Sequence, residues 1–221
     1  MQNKNVTTIY LIRHGESIGN ANRIFLGHTD LDLSEKGYIQ ADLTAEALRD
    51  VEFDAIYSSD LQRAYNTALP HANLRGLSVV RLPGVRELYC GDWENKKVED
   101  LLLLYGDMYP VDWKLNFGTF RMPNGEAVVE AGRRMFDELQ RLSEKHRGET
   151  IMVAAHAAII RSFVCRIMGL TPREYASSLP FPTNASYTVV DFFGGDFSLI
   201  SYSNDAHLGE LRTAIESDVK E

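Results

Sequence analysis

The sequence predicts an α/β fold in which one mixed, mostly parallel sheet is covered by helices on both faces. Short β-rich runs alternate with helical patterns along most of the chain, and two β-rich runs follow each other near its end. Alternation is typical of a sheet covered by helices, and the final pair adds an antiparallel margin. With 221 residues, of which 44% are hydrophobic, the chain is expected to form one domain over residues 1–221.

Six runs rich in β-branched and aromatic residues predict the strands. They cover residues 6–12, 55–58, 77–82, 150–155, 186–193 and 197–202. The run at 150–155 is apolar throughout its centre, which is typical of a strand buried on both faces. The last two runs are joined through Gly194-Gly195-Asp196, which predicts an antiparallel hairpin.

The segments between these runs have helical spacing of apolar residues. The predicted helices cover residues 35–49, 61–69, 126–145 and 159–168. Ser34 is a suitable N-cap for the first helix, and Gly169 is expected to close the last. Pro70 is expected to end the second helix, because proline lacks the N–H that a helix interior needs. Thr171 and Pro172 are expected to open a further short helix, as cap and first residue.

Residues 96–125 do not follow this alternation. They contain a run of leucines and several aromatic side chains without a clear period: Tyr105, Tyr109, Trp113, Phe117 and Phe120. An irregular connection packed on the domain fits this composition. An irregular helical lid, whose aromatic side chains contact the organic part of a substrate, fits it equally well. We therefore predict a lid or substrate-specificity segment here, with the simple connection as the alternative.

Charge and cysteine usage exclude several classes of protein. The net charge of −8 argues against nucleic acid or an anionic membrane as the main partner. The first residues are polar with no signal-like stretch, and no apolar run approaches membrane-spanning length. Cys90 and Cys165 are too few for a disulfide framework. A soluble, cytoplasmic protein is expected, and its oligomeric state is not indicated.

Chemically active side chains follow three of the predicted strands. Arg13 and His14 end the first strand, Arg63 comes shortly after the second, and His156 directly follows the buried run at 150–155. Taken alone, each has an ordinary interpretation as a surface turn, a solvated arginine or a core histidine. Ligands of open α/β sheets bind outside the carboxyl ends of the strands, so these groups can converge. Gly15 is expected to let the backbone come close to a bound phosphate.

The converged groups suit phosphoryl transfer to a histidine. A neutral histidine can attack phosphorus, two arginines can hold its oxygens, and Glu87 can protonate the leaving oxygen. Asn20 adds a donor if it faces the same cavity. No metal and no cofactor are expected, because the arginines supply positive charge and no metal-ligand spacing is present. Binding of a metal by the two histidines and Glu87 is disfavoured, because the arginines would repel a cation.

Several stretches together are similar to the histidine phosphatase superfamily, in its phosphoglycerate mutase-like branch. They are LIRHGES with Asn20 after it, GHTDLDLSEKGYIQA, SSDLQRAYNTA, RELYCGDWE, PNGEAVVEAGRRM and the late strand-end histidine. The resemblance spans residues 6–193 and implies a three-layer α/β/α sandwich. It also implies a small phosphorylated molecule as substrate.

The resemblance implies a role for each matched residue. His14 would be the nucleophile that becomes phosphorylated, and His156 would stabilise the transferring group. Glu87 would protonate the leaving alcohol and then act as base for the attacking water. The groups that bind the phosphate and the substrate would be Arg13, Asn20, Gly27, Arg63, Glu87, His156 and Ala157. With Glu87 as the acid, we expect an optimum on the acid side of neutral for poor leaving groups.

Three alanines depart from the family pattern. Ala157 stands where glycine usually follows the second histidine, so its methyl group is expected to crowd the phosphate or shift the turn. Ala155 stands where a small hydroxyl residue is common, and Ala127 replaces a frequent serine. These departures affect the expected rate and substrate preference more than the reaction type.

The segment after Glu87 distinguishes the branches of the family. ELYCGDWENKK is similar to the phosphatase-type members, including α-ribazole phosphatase-like and broad-specificity enzymes, whereas the mutases have an arginine-histidine-tyrosine run there. Hydrolysis of a small-molecule phosphate monoester is therefore the leading hypothesis. A cofactor-dependent phosphoglycerate mutase is the first alternative. A non-catalytic phospho-ligand binding protein is an alternative of a different class.

Overall fold

The computed structural model describes residues 5–106 and 111–213 and is built around one sheet of six strands. The strands are β1 Thr7–Arg13, β2 Ala55–Ser58, β3 Val79–Arg81, β4 Thr150–Ala155, β5 Tyr187–Phe193 and β6 Asp196–Asn204. Their order is β3-β2-β4-β1-β5-β6. The first four are mutually parallel, whereas β5 runs antiparallel to β1 and to β6. The predicted mixed, mostly parallel sheet is confirmed.

Eight α-helices lie within the described residues. They are α1 Ile18–Ala21, α2 Glu35–Ala47, α3 Gln62–Arg75, α4 Val98–Tyr105, α5 Val111–Leu115, α6 Val128–Lys145, α7 Ala157–Ile167 and α8 Tyr175–Ser178. Ser34 caps α2 as predicted, with its side chain accepting from the N–H of Gly37 at 3.1 Å. None of the described helices is long and apolar enough to cross a membrane.

Strand β4 separates the two halves of the hydrophobic core. Ile151 and Val153 pack into the larger cluster, which includes the apolar faces of α6 and α7. Met152 and Ala154 point to the opposite face of the sheet and join a smaller cluster with residues of α3. Successive side chains of a strand alternate between faces, so a strand covered by helices on both sides must be apolar throughout. This arrangement confirms the three layers.

The expectation that Pro70 ends the second helix is wrong. Helix α3 continues through Pro70 to Arg75 and closes at Gly76, whose φ of 64° is the left-handed conformation that glycine adopts easily. A proline inside a helix costs about 3 kcal/mol. The turn after it offsets this cost by burying Ala72 in the smaller core cluster, while Arg75 donates through Nε to the carbonyl of Val51 at 3.0 Å.

The segment 96–125 contains α4, α5 and a 3₁₀ turn at Phe117–Thr119. Phe117 and Phe120 are buried in the larger core, so they fix the segment to the domain. Trp113 stacks on Phe181, with ring centroids 5.9 Å apart. Tyr109 of the predicted aromatic set lies outside the described residues. The helical character is as expected, and the role of the segment as a lid stays a prediction.

Candidate active site

A cavity of about 1040 Å³ lies at the carboxyl ends of β1, β2 and β4. Most of the predicted site residues line it: Arg13, His14, Asn20, Gly27, Arg63, Glu87 and Ala157. His156 does not line the cavity itself. Its ring lies against that of His14, with centroids 5.1 Å apart. The sheet therefore brings together the groups that the sequence placed on separate strands.

His14 is held in one orientation and one tautomer. Its backbone N–H donates to the carbonyl of Ala155 at 3.0 Å, which ties the end of β1 to the end of β4. Its Nδ1 lies 2.6 Å from the carbonyl oxygen of Gly15. A carbonyl can only accept, so Nδ1 carries the proton and Nε2 of the neutral ring carries the lone pair.

Burial and two arginines keep the His14 ring neutral. Burial, followed by the charges of Arg63 and Arg13, holds the pKa of His14 well below its usual range, although the hydrogen bond to Gly15 opposes the shift. The imidazole is therefore uncharged at neutral pH. A neutral imidazole with a fixed lone pair can act as a nucleophile.

His156 is fully buried, yet neither of its ring nitrogens has a hydrogen-bond partner among the described residues. Burial lowers its pKa well below the usual range, and Arg63 and His14 lower it further. A hydrogen-bonded core histidine, the ordinary interpretation from sequence, does not describe this side chain. The ring retains one donor and one acceptor for a ligand bound beside His14.

Arg63 is only 1% exposed and is held by a neighbouring loop. Its Nη1 donates to the carbonyl of Thr29 at 2.9 Å and its Nη2 to that of Gly27 at 2.8 Å. Gly27 has a φ of 51°, and a Cβ there would lie 2.4 Å from a carboxylate oxygen of Glu94. Gly27 was predicted to help bind the substrate. It lines the cavity, and its contact in the structure is to Arg63.

Arg13 reaches the cavity from the last residue of β1. Its Nη1 donates to the carbonyl of Pro182 at 2.6 Å, and its buried Nε has no partner within the described part of the chain. Burial lowers the pKa of Arg13 to about 10, partly opposed by Glu87. The guanidinium therefore remains a cation at neutral pH.

Asn20 is fixed by its side-chain oxygen. Oδ1 accepts from the N–H and the hydroxyl of Ser17 at 3.1 and 3.0 Å, and from Nδ2 of Asn184 at 3.2 Å. An amide whose oxygen is engaged in this way interacts with an anion through its NH₂ group. Asn20 therefore suits the predicted role of a phosphate donor on the cavity wall.

Glu87 lies at the N-terminus of α7. Its Oε1 accepts from the backbone N–H groups of Leu88 at 2.9 Å and Ile159 at 3.2 Å, and its Oε2 accepts from that of Ala158 at 3.2 Å. A carboxylate in this position satisfies N–H groups that have no partner within the helix. This cap accounts for a helix that begins at Ala157, two residues before the predicted start.

Arg134, on α6, holds the loop that carries Glu87. Its Nη1 donates to the carbonyls of Gly84 at 2.9 Å and Arg86 at 3.0 Å, and its Nη2 donates to that of Glu87 at 3.2 Å. Glu126 orients the guanidinium by accepting from Nε at 3.1 Å and from Nη2 at 2.9 Å. This pair was not among the residues predicted from the sequence. Both residues lie within the motif PNGEAVVEAGRRM, which was the available signal.

Thr67 and Asn184 were also missed. The Thr67 hydroxyl accepts from the N–H of Gly15 at 3.0 Å and donates to the carbonyl of Arg63 at 2.7 Å. Asn184 donates to the carbonyl of His14 at 3.1 Å. Thr67 follows Arg63 by four residues on a helix, a spacing that could have indicated it, whereas nothing in the local sequence marks Asn184.

Gly15 packs closely against α2, and its expected role in letting the backbone approach a phosphate stays a prediction. A Cβ at this position would lie 2.4 Å from the carbonyl oxygen of Gly37 in α2. Gly37 is equally restricted, since its own Cβ would lie 2.0 Å from the carbonyl oxygen of Glu16. The close approach that requires glycine is therefore between the His14 turn and α2.

Within residues 5–106 and 111–213, no group of three or more His, Cys, Asp or Glu side chains is placed to hold a metal ion. The absence of a metal from the reaction stays a prediction.

A cationic cavity outside the carboxyl ends of parallel strands is typical of α/β proteins that bind anionic ligands such as phosphate esters. The chain matches the histidine phosphatase superfamily, branch 1, over residues 9–205, and it belongs to that family. The resemblance inferred from the motifs is thereby confirmed.

Individual relatives agree with this assignment. Phosphoserine phosphatase 1 of Hydrogenobacter thermophilus is 30% identical over 206 residues, covering 92% of this chain and 95% of that protein. The 2,3-bisphosphoglycerate-dependent phosphoglycerate mutase of Bartonella henselae is 30% identical, covering 77% of this chain and 85% of that protein. The solved structure of a mycobacterial glucosyl-3-phosphoglycerate phosphatase in complex with VO₃ superposes on this structure with a TM-score of 0.81 and 25% sequence identity. The match covers 90% of this chain and 99% of that chain. The chain is a phosphoric monoester hydrolase.

Proposed function

We propose that the chain hydrolyses a small-molecule phosphate monoester, without a metal, through a phosphohistidine intermediate on His14. The observation that carries this proposal is the neutral His14 ring, with its lone pair on Nε2, buried beside Arg13 and Arg63. Two relatives named as phosphatases match at least nine-tenths of the chain, which supports hydrolysis over transfer to a second alcohol.

The first step transfers the phosphoryl group to His14. Nε2 attacks phosphorus, a P–N bond forms, and the P–O bond to the leaving alcohol breaks. Arg13 and Arg63 hold the phosphoryl oxygens as charge develops on them. The leaving oxygen takes a proton from Glu87, whose Oε2 accepts only one of the three backbone hydrogen bonds to that carboxyl group and so has room for the proton.

The second step releases phosphate. Glu87, now a carboxylate, takes a proton from water as the water oxygen attacks phosphorus. The P–N bond breaks and returns its electron pair to Nε2, so His14 is again neutral. His156 donates a hydrogen bond to the phosphoryl group in both steps, from one of its ring nitrogens. Each group thus ends the cycle in its starting state.

Phosphatase assays in EDTA test this proposal, with a panel of sugar, nucleotide and nucleoside phosphates. We expect hydrolysis in EDTA, and an acid-labile phosphoprotein trapped on the wild-type chain but not on His14→Ala. His207→Asn is the matched histidine control, because His207 lies outside the cavity and bonds to Thr44. Full activity in folded His14→Ala would overturn the mechanism. Conversion of 3-phosphoglycerate to 2-phosphoglycerate with catalytic bisphosphoglycerate would assign a mutase instead.

The dependence on the leaving group tests Glu87 as the acid. A poor leaving group needs a proton from the carboxyl group as it departs, so Glu87→Gln should lower the rate with an alkyl phosphate strongly. p-Nitrophenyl phosphate, whose leaving group needs less help, should lose less. Equal losses for both substrates in folded Glu87→Gln would count against Glu87 as the acid.

A further inference from the structure

The cavity extends well beyond the groups assigned to the phosphoryl transfer. At about 1040 Å³ it lies at the upper end of the range for small-molecule sites. A second part of its wall comes from α5, α7 and the segment around α8, through Trp113, Lys114, Arg161 and Phe181. With the phosphoryl group at His14, this part of the cavity is the space available to the leaving alcohol.

Lys114 contributes an ammonium group to this wall. Its Nζ is buried from solvent, although the residue as a whole is half-buried, and it has no hydrogen-bond partner in the described part of the chain. An ammonium has three N–H donors, and burying it without a partner is unfavourable. An anionic group on the substrate would satisfy these donors.

Arg161 provides a second cation with little freedom to move. It is 4% exposed, and its guanidinium lies 4.4 Å from the ring centroids of both Phe117 and Phe181. Its Nη2 donates to the carbonyls of Tyr175 and Ala176 at 2.9 Å, while its buried Nε has no partner among the described residues. The charge is therefore positioned before any ligand binds.

Among the described residues, the acidic side chains that line the cavity do not pair with Lys114 or Arg161. The cationic lining residues are Arg13, Arg23, Arg63, Lys114 and Arg161, and the acidic ones are Glu16 and Glu87. Glu16 pairs with Lys36 at 3.5 Å and accepts from Ser34. Glu87 caps α7. The cavity thus holds two cationic side chains, Lys114 and Arg161, in addition to the two arginines assigned to the phosphoryl group.

We infer that Lys114 and Arg161 form a second anion subsite. The inference rests on the proposed function and names its substrate class: a phosphate monoester whose alcohol part carries another anionic group, either a carboxylate or a second phosphate. Lys114 supplies a flexible ammonium, and Arg161 supplies a guanidinium that is fixed by two carbonyls and two aromatic rings.

Matched substrates test this inference. Phosphoserine is compared with phosphoethanolamine, and 3-phosphoglycerate with glycerol 3-phosphate, for the carboxylate arm. Fructose 1,6-bisphosphate is compared with fructose 6-phosphate for the phosphate arm. In one of the arms, kcat/KM should be about 10- to 100-fold higher for the member with the additional anion. Lys114→Met should bring this ratio close to one, mainly through KM, whereas Lys114→Arg should keep most of it.

Lys97→Met is the matched control, because Lys97 is exposed and lies on the same segment outside the cavity lining. Its substrate ratios should equal those of the wild type. Inhibition of the wild-type protein provides a test without any substitution. If the subsite binds a carboxylate, glycerate should compete with p-nitrophenyl phosphate, and glycerol should not. In the phosphate case, inorganic phosphate should bind with a second site that Lys114→Met removes.

The two proposals can fail separately. Equal kcat/KM for both members of every pair, with p-nitrophenyl phosphate hydrolysed normally, would overturn the second subsite and leave the phosphatase mechanism intact. A substrate ratio unchanged in folded Lys114→Met would also overturn it. Loss of all hydrolysis in the wild type would overturn the proposed function, and the second subsite with it.

Discussion

Two regions of this protein bury a histidine whose ring nitrogens have no partner among the described residues. His156 lies beside His14 at the carboxyl ends of the strands, and His71 lies on α3. Burial lowers the pKa of both, for His71 to about 3. Only the first region has two arginines and a glutamate converging on a cavity. A lowered histidine pKa is therefore not enough to identify an active site, and the convergence of complementary groups is the deciding observation.

The largest expected difference between the regions is in activity. His14→Ala should reduce kcat by roughly 10³-fold or more, because it removes the proposed acceptor of the phosphoryl group. His71→Leu should retain activity, since His71 packs near Phe53, with ring centroids 6.4 Å apart, and does not line the cavity. Steady-state kinetics with p-nitrophenyl phosphate measure both. Comparable losses of kcat in folded His14→Ala and folded His71→Leu would contradict the distinction between the two regions.

A smaller effect should come from the support of the acid. Arg134→Gln removes the donors that hold the carbonyls of residues 84–87, so Glu87 should lose its position. We expect kcat for alkyl phosphates to fall about 100-fold, and that for p-nitrophenyl phosphate to fall much less. Arg133→Gln is the matched control, since Arg133 is exposed and its partner Asp137 lies 3.8 Å away. Equal losses for both leaving groups would indicate a purely structural role.

The buried His71 should also lower the free energy of unfolding in acid. An unfolded histidine titrates near its usual pKa of 6.5, whereas folded His71 stays neutral down to about 3, so the unfolded state binds more protons between these values. Stability is therefore full above pH 6.5 and is lost as the pH falls. At pH 5 His71 alone should account for about 2 kcal/mol. Urea unfolding of the wild type and His71→Leu at pH 7 and pH 5 checks this, and identical pH slopes would contradict it.

The smallest effect concerns the start of α6, the helix that carries Arg134. Ala127 occupies the N-cap position, where Glu130 accepts from its backbone N–H at 3.0 Å but the alanine side chain cannot accept in return. Ala127→Ser should stabilise the protein by about 1 kcal/mol. The corresponding rise in Tm is about 2–4 °C for a domain of this size. A Tm that is unchanged or lower would show that the cap does not form.

The strands and the main site were predictable because their signals are local. Residues 150–155 are buried on both faces and are apolar for that reason, and Arg13, His14 and His156 each stand directly at a strand end. Asn184 was not predictable, because it contacts His14 across 170 positions of the chain. The end of α3 was predicted wrongly at Pro70, because the tertiary contacts of Arg75 stabilise the last helical turn by more than the proline destabilises it. The features that could not be predicted from the sequence are therefore those that depend on hydrogen bonds between residues far apart in the chain.

The contact between Gly15 and Gly37 joins the turn that carries His14 to α2, with no space for a methyl group on either side. The atoms in the way are backbone carbonyls, of Gly37 on one side and of Glu16 on the other, so no change in a neighbouring side chain can make room. A deep mutational scan should find both intolerant of every substitution, including alanine. Sequence change in this protein is then constrained at two positions outside the cavity lining, because they fix the position of His14, which lines it.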